Sequence, residues 1–148
     1  MFNVRAVTRA DADAWLEMRW ALWPDDPNGH RGEIERFFGG DRREPTEVLI
    51  AFDGSAPVGF AELSIRNIVD GCSTGNVGYL EGWYVVPQAR RRGVGRELIV
   101  AAESWARTHG CTEFGSDAAL DNDVSLAAHR ALGFEETSRA CLFRKDLR

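Results

Sequence analysis

Residues 76–86, NVGYLEGWYVV, read as a strand, and from residue 94 Val94, Leu98, Ala102 and Trp105 recur every three or four positions to make an amphipathic helix over 94–108. Between them stands PQARRRGVG. A strand joined by a glycine-rich turn to a helix with one apolar face packs that helix back onto a sheet, and CTEFGSD supplies the next strand of this crossover.

The rest of the chain is organised around that unit. FNVRAV predicts a first strand. Thr8 and Asp11 form a capping-box pattern that opens a helix through about Leu22, with Trp15, Met18 and Leu22 on its apolar face. Pro24 and Pro27 break it, and a short helix from about Glu33 to Phe38 ends at Gly39-Gly40. TEVLIAFD, a Gly54-Ser55 turn and PVGFAELSIR predict an antiparallel hairpin. DVSLAAHRAL predicts a helix stopped by Gly133, and FEETSRACLFRKDL a final strand or strand pair. The expectation is an α+β fold in α/β/α layers, with a mixed, mostly antiparallel sheet flanked by helices.

A chain of 148 residues suits one domain, 1–148, with one core. The formal charge of −5 argues against nucleic acid as partner. No long apolar run or leader precedes the first strand, so the expected location is cytoplasmic, with no membrane partner. Cys72, Cys111 and Cys141 are odd in number and far apart, without His or Cys at metal-ligand spacing, so neither a disulfide framework nor a metal site is expected. His30, His109 and His129 lie in no motif that demands histidine and read as surface or helix-end residues.

Residues 11–47 hold ten Asp or Glu against five Arg, and Glu113, Asp117, Asp121, Asp123, Glu135 and Glu136 make a second acidic group. Individually these are solvated carboxylates, whereas together they suit a cationic ligand. The turn at 90–96 has the opposite sign. Free backbone N–H groups and the helix dipole converge there, Gly93 and Gly95 let backbone approach an anion, and Arg91, Arg92 and Arg96 add charge-assisted donors. The third glycine of a dinucleotide fingerprint and the Gly-Lys-Ser/Thr of a P-loop are both missing.

With Arg90, Gly93 and Gly95, this turn resembles the acyl-CoA pyrophosphate loop of the GNAT superfamily of N-acetyltransferases. Within it the chain looks most like the aminoglycoside 6′-N-acetyltransferases, through Leu22-Trp23-Pro24, GFAELSIR, DGC at 70–72, LEG at 80–82, Ser116-Asp117, Asn122 and ALGFEET. The resemblance implies acetyl-CoA as co-substrate, held by a bulged strand at Trp83, Tyr84 and Val85, by the loop at Arg91, Arg92, Gly93, Val94, Gly95 and Arg96, and by Asn122. It also implies a homodimer with the C-terminal strands near its interface.

An alkylammonium with a pKa near ~10 must lose a proton before it attacks a thioester. Glu81, on the strand beside the loop, can receive that proton and hold the ammonium. By resemblance Asp117 contacts a substrate amine and the Trp23 ring stacks on an aminosugar, with Asp26 and Glu136 adding the charge a polycation needs. No cysteine lies in a motif for an acetyl-enzyme, so direct transfer in a ternary complex is expected. The chain departs from the pattern at Phe143, where relatives often have a tyrosine acid that Tyr79 or Tyr84 could replace, at the shorter loop 67–76, and at Ser138. The alternatives are a GNAT enzyme for another small amine or a protein, and a non-catalytic acyl-CoA-binding module.

Overall fold

The computed structural model describes residues 2–25 and 29–148. Five strands stand side by side in chain order: β1 (Asn3–Ala6), β2 (Glu47–Asp53), β3 (Ala56–Arg66), β4 (Val77–Val85) and β5 (Glu113–Ser116). The first three pairings are antiparallel and β4–β5 is parallel. Helix α3 (Val94–Thr108) makes the β4–β5 crossover, as the apolar spacing predicts.

Alternation along the strands divides the core. Leu49, Ala51, Ala61 and Leu63 face Val94, Leu98 and Ala102 of α3. Their neighbours Val48, Ile50 and Phe60 face the other layer, against Trp15 and Met18 of α1 (Ala12–Leu22) and Ile34 and Phe37 of α2 (Gly29–Phe38). A 3-10 turn at Arg9–Asp11 leads into α1. There the Asp11 carboxylate accepts from the Thr8 N–H at 2.8 Å and the Thr8 hydroxyl at 2.9 Å, which is the predicted cap. It also accepts from Arg5 at 2.7 Å, and this bond above all holds Asp11 down at about 2.

Helix α4 (Asp123–Ala131) follows β5 and gives way to Gly133, whose φ of 91° ends it as expected. The predicted final strands are absent. Residues 134–148 pair with no strand among the described residues, and the sheet ends at β5. The segment has strand-like composition, but a strand exists only through a ladder, and it makes none even with the free edge of β5. Leu142 and Phe143 are 94% and 95% exposed, and Cys141, expected within a strand, is exposed as well. His30 is another correction. It is buried, its ring nitrogens engaged by Arg19 and the Trp23 carbonyl, because α2 begins earlier than predicted and carries it under α1. His129 is half-buried in α4, bonded to Ser116 and Ser125, while His109 caps α3 as expected.

Candidate active site

The pairing of β3 with β4 changes register between Glu62 and Leu63: Glu62 faces Gly82 and Leu63 faces Leu80, so Glu81 is the extra residue of a bulge. The bulge reverses alternation along β4. Before it, Gly78 faces α3, where an added Cβ would lie 2.7 Å from Ala106. Beyond it Trp83 takes that face, and Gly82 turns toward α1, where an added Cβ would lie 2.5 Å from the Trp23 ring. A glycine at 82 is therefore a condition for seating Trp23 on the sheet.

Glu81, with a side chain 13% exposed, shares this face with Ser64 and Arg66. Its carboxylate accepts from the Ser64 hydroxyl, from Arg66 Nε at 3.0 Å and from Arg66 Nη2 at 2.6 Å. The Arg66 guanidinium lies 3.7 Å from the centroid of the Tyr79 ring, and the Tyr79 hydroxyl donates to Asp117 at 2.5 Å. Burial first, then the Asp117 bond, pushes the Tyr79 phenol well above its ordinary value. Its proton stays on the phenol, donated to Asp117, which disfavours Tyr79 as an acid for a leaving thiolate. Tyr84 packs on Phe60 with Arg90 over its ring, and Phe143 points away from the fold.

Beneath Trp23 lies a buried ionic group. Arg19 donates to Glu62 through Nε at 2.6 Å and Nη2 at 3.2 Å, pairs with Glu33 at 2.5 Å, and lies 5.0 Å from the Trp23 ring centroid. Glu62 also accepts from Trp15 Nε1 at 2.9 Å. Desolvation pushes Glu62 up, and the Arg19 guanidinium opposes it.

The predicted substrate residues fall into two neighbouring clefts. Trp23 and Glu81 line one, of about 620 Å³, with Arg19, His30 and Glu62. Asp117 and Glu136 line the other, of about 1120 Å³, which Arg66 and Tyr79 also border. Arg66 thus stands where the two meet. Glu136 is exposed and held at about 2, chiefly by Arg139 and then by Arg130. Asp26 lies outside the described residues. Sequence reasoning missed Arg19, Glu62, Ser64 and Arg66. The period-2 rule applied to GFAELSIR would have found the last three, since it sets Glu62, Ser64 and Arg66 on one face.

At the other end of β4, pairing with β5 stops at Leu80–Ser116, so residues 81–85 run on beyond their neighbour. This leaves backbone polar groups along one edge without a sheet partner. The turn beyond is left-handed at Arg91 (φ 63°) and Gly93 (φ 91°). The first helical bond runs from Glu97 N–H to the Gly93 carbonyl, so the Val94, Gly95 and Arg96 N–H groups point out of the helix. Gly95 sits under Trp83, where an added Cβ would lie 3.1 Å from the ring. The Trp83 Nε1 is buried without a hydrogen-bond partner, and His129 meets the ring edge-on at 5.4 Å. Arg90 donates to the Val85 carbonyl at 2.9 Å and Arg92 to Asp53 at 3.1 Å, while Arg91 and Arg96 have no ion-pair partner among the described residues. Asn122 accepts from the Ser125 N–H as the cap of α4. A helix start with unbonded donors and arginines beside an open strand edge fits a pyrophosphate followed by an amide-bearing arm.

Comparison with known proteins gives one answer. The acetyltransferase (GNAT) family matches residues 12–134. An aminoglycoside N(6′)-acetyltransferase type 1 from Klebsiella aerogenes is 53% identical over 147 residues, covering 97% of this chain and 96% of the relative. Among solved structures, AAC(6′)-Iy in complex with the bisubstrate analog CoA-S-monomethyl-acetylneamine superposes with a TM-score of 0.90 at 36% identity, over 99% of both chains. Aminoglycoside 6′-N-acetyltransferase AAC(6′)-IG from Acinetobacter haemolyticus gives 0.89 at 41%, again over 99% of both. Fold, open strand edge and full-length similarity agree, and the chain belongs to the acetyltransferase (GNAT) family.

Proposed function

We propose that this protein is an aminoglycoside 6′-N-acetyltransferase, one domain over 1–148, that transfers the acetyl group of acetyl-CoA to the 6′-amine and so confers antibiotic resistance. The observation that carries the reading is the continuity of β4: one strand bears Glu81 at its bulge and leads directly into the anion-binding turn. The similarity of the whole chain to enzymes named for this activity supports it.

Acetyl-CoA supplies an activated acyl thioester. The Val94, Gly95 and Arg96 N–H groups, with Arg91, Arg92 and Arg96, hold its phosphates, and Arg92 keeps Asp53 as its resting partner. Trp83, Tyr84 and Val85 offer backbone groups to the arm and to the thioester carbonyl, and Asn122 closes on the same ligand. On the acceptor side Trp23 stacks on the aminosugar, Glu81 and Asp117 hold its ammonium groups, and Asp26 and Glu136 add charge. Glu81 takes the ammonium proton before the attack; the neutral amine then forms the C–N bond as the C–S bond breaks, and the second nitrogen proton passes to solvent. A thiolate with a pKa of about 8.5 leaves without a dedicated acid.

The exposed Leu142, Phe143 and Leu147 support a homodimer in which residues 134–148 pair with a second copy. Among the described residues no helix is long and apolar enough to cross a membrane, and we read the enzyme as cytoplasmic. The test is thiol release from acetyl-CoA with kanamycin and with its 6′-hydroxyl counterpart. Turnover with the first alone is expected, and equal turnover or none overturns the reading. Expression in a susceptible host should raise the kanamycin dose tolerated, and Phe143→Glu should shift the light-scattering mass toward that of one chain.

A further inference from the structure

Glu81 is already paired with a cation. Arg66 holds both its carboxylate oxygens, at 3.0 and 2.6 Å, while remaining 39% exposed between the two clefts. An ammonium that reaches Glu81 therefore meets a guanidinium there.

We propose that Arg66 is a positioning residue for the acceptor amine: it stays beside Glu81 when the acceptor enters, disfavours the protonated form of the amine bound there, and so delivers the nucleophile neutral. The inference rests on reading Glu81 as the carboxylate that receives the amine. Its physical basis is a contest of local charges. From β3, Ser64 and Arg66 face Glu81, and from β4 Tyr79 does so across the guanidinium. Glu44, in the segment before β2, lies 4.0 Å from Arg66, and Asp117 at the end of β5 is reached through Tyr79. From the α1 and α2 side come Arg19, Asp25, His30, Glu33 and Arg36, with Glu62 of β3, and of these Arg19, Glu33 and Glu62 pair with one another.

Carboxylates outnumber cations around Glu81, and alone they would hold an ammonium tightly in its unreactive form. Arg66 supplies the opposing charge. Its hydrogen bonds to Glu81 raise a value that is already high, so it stays charged wherever the enzyme works. The Tyr79 ring beneath the guanidinium fixes its plane without competing for Glu81.

The test measures kcat and KM for kanamycin against pH in wild type, Arg66→Gln, Arg66→Met and Arg66→Lys. For a guanidinium several ångströms from the amine nitrogen, the acidic limb of kcat should move up by about one pH unit in Gln and Met, a loss of about tenfold below the limb and little above it. KM should fall in both, because the ammonium loses its internal competitor, and Lys should restore at least half of the shift. Met keeps an aliphatic stem over Tyr79 and supplies the neutral variant should Gln fail to fold. A raised KM with lower kcat at every pH and an unmoved limb marks a structural role only and overturns the inference. Wild type without kanamycin turnover overturns the proposed function and this inference together, whereas wild-type turnover with an unmoved limb in the variants overturns this inference alone.

Discussion

Glu62→Gln tests what holds the Trp23 platform. The side chains of Arg19 and Glu62 are 5% and 3% exposed, and the carboxylate accepts from Trp15 Nε1, Arg19 Nε and Arg19 Nη2. Glutamine keeps the shape but leaves one oxygen for three donors and turns an amide N–H toward at least one of them. Breaking a buried pair from one side costs about 3–5 kcal/mol. Glu33 still reaches Arg19 from a site 33% exposed, which argues for the lower end, about 3 kcal/mol. In urea that is a midpoint shift of about 1–2 M, with the slope unchanged. The double variant Arg19→Met, Glu62→Met removes both buried charges; the Trp15 N–H and the His30 ring nitrogen that Arg19 engaged are neutral and Glu33 is a third exposed, so the double variant should be more stable than Glu62→Gln. Because Arg19 stacks against Trp23, Glu62→Gln should also raise KM for the acceptor more than for acetyl-CoA. A cost below about 1 kcal/mol, or a double variant as unstable as the two single costs added, would refute the argument that the guanidinium is stranded.

Three further outcomes follow from the geometry. Gly95→Ala puts a Cβ 3.1 Å from the Trp83 ring, so isothermal titration should show acetyl-CoA binding about five- to tenfold weaker while the melting temperature moves little. Gly82→Ala must displace the Trp23 ring, with added-Cβ distances of 2.5 and 2.8 Å, and should raise the acceptor KM with little change in acetyl-CoA affinity. Asp11, held at about 2, has a folded pKa below its ordinary value, so its contribution is present above about pH 4 and is lost as pH falls toward 2. Asp11→Ala should therefore cost about 1–2 kcal/mol at pH 7, discounted because Arg5 is 42% exposed, and the gap to wild type should close in acid unfolding titrations.

Much of this was legible in the sequence because local rules and tertiary need coincide. Helix α3 has the expected limits, since four apolar residues at helical spacing lie between a left-handed glycine and Gly110. The β2–β3 hairpin follows from a short turn between two apolar runs. The misses share a different cause. The strand expected after Gly133 has the composition of one but makes no ladder, even with the free edge of β5, so composition was a poor guide to pairing there. His30 is buried because α2 folds under α1, a tertiary fact that its neighbours in sequence do not encode. Arg66 escaped notice because an arginine at a strand end reads as solvated, and only the partner strand reveals its carboxylate.

The bulge explains why the site lies where it does. In an unbroken strand Glu81 would share a face with Tyr79 and also with Trp83, and one of those two rings would be turned out of its layer. One inserted residue lets Tyr79 and Glu81 face the α1 side while Trp83 faces α3 and locks the glycine turn through Gly95. The same residue ends the regular ladder just where β5 stops, at Leu80–Ser116, so the carboxylate and the open edge begin together. Deleting Glu81 would remove the inserted residue and leave Leu80 opposite Leu63 and Gly82 opposite Glu62 in a regular ladder, so Gly82 and every later residue would keep their layers. Alanine at 81 keeps the backbone insertion and should leave acetyl-CoA affinity near wild type while abolishing most turnover. Deletion should likewise lose turnover while keeping acetyl-CoA affinity near wild type, and a deletion variant that no longer bound acetyl-CoA would refute the view that the register on either side of the bulge, and not Glu81 itself, sets the orientation of the glycine turn.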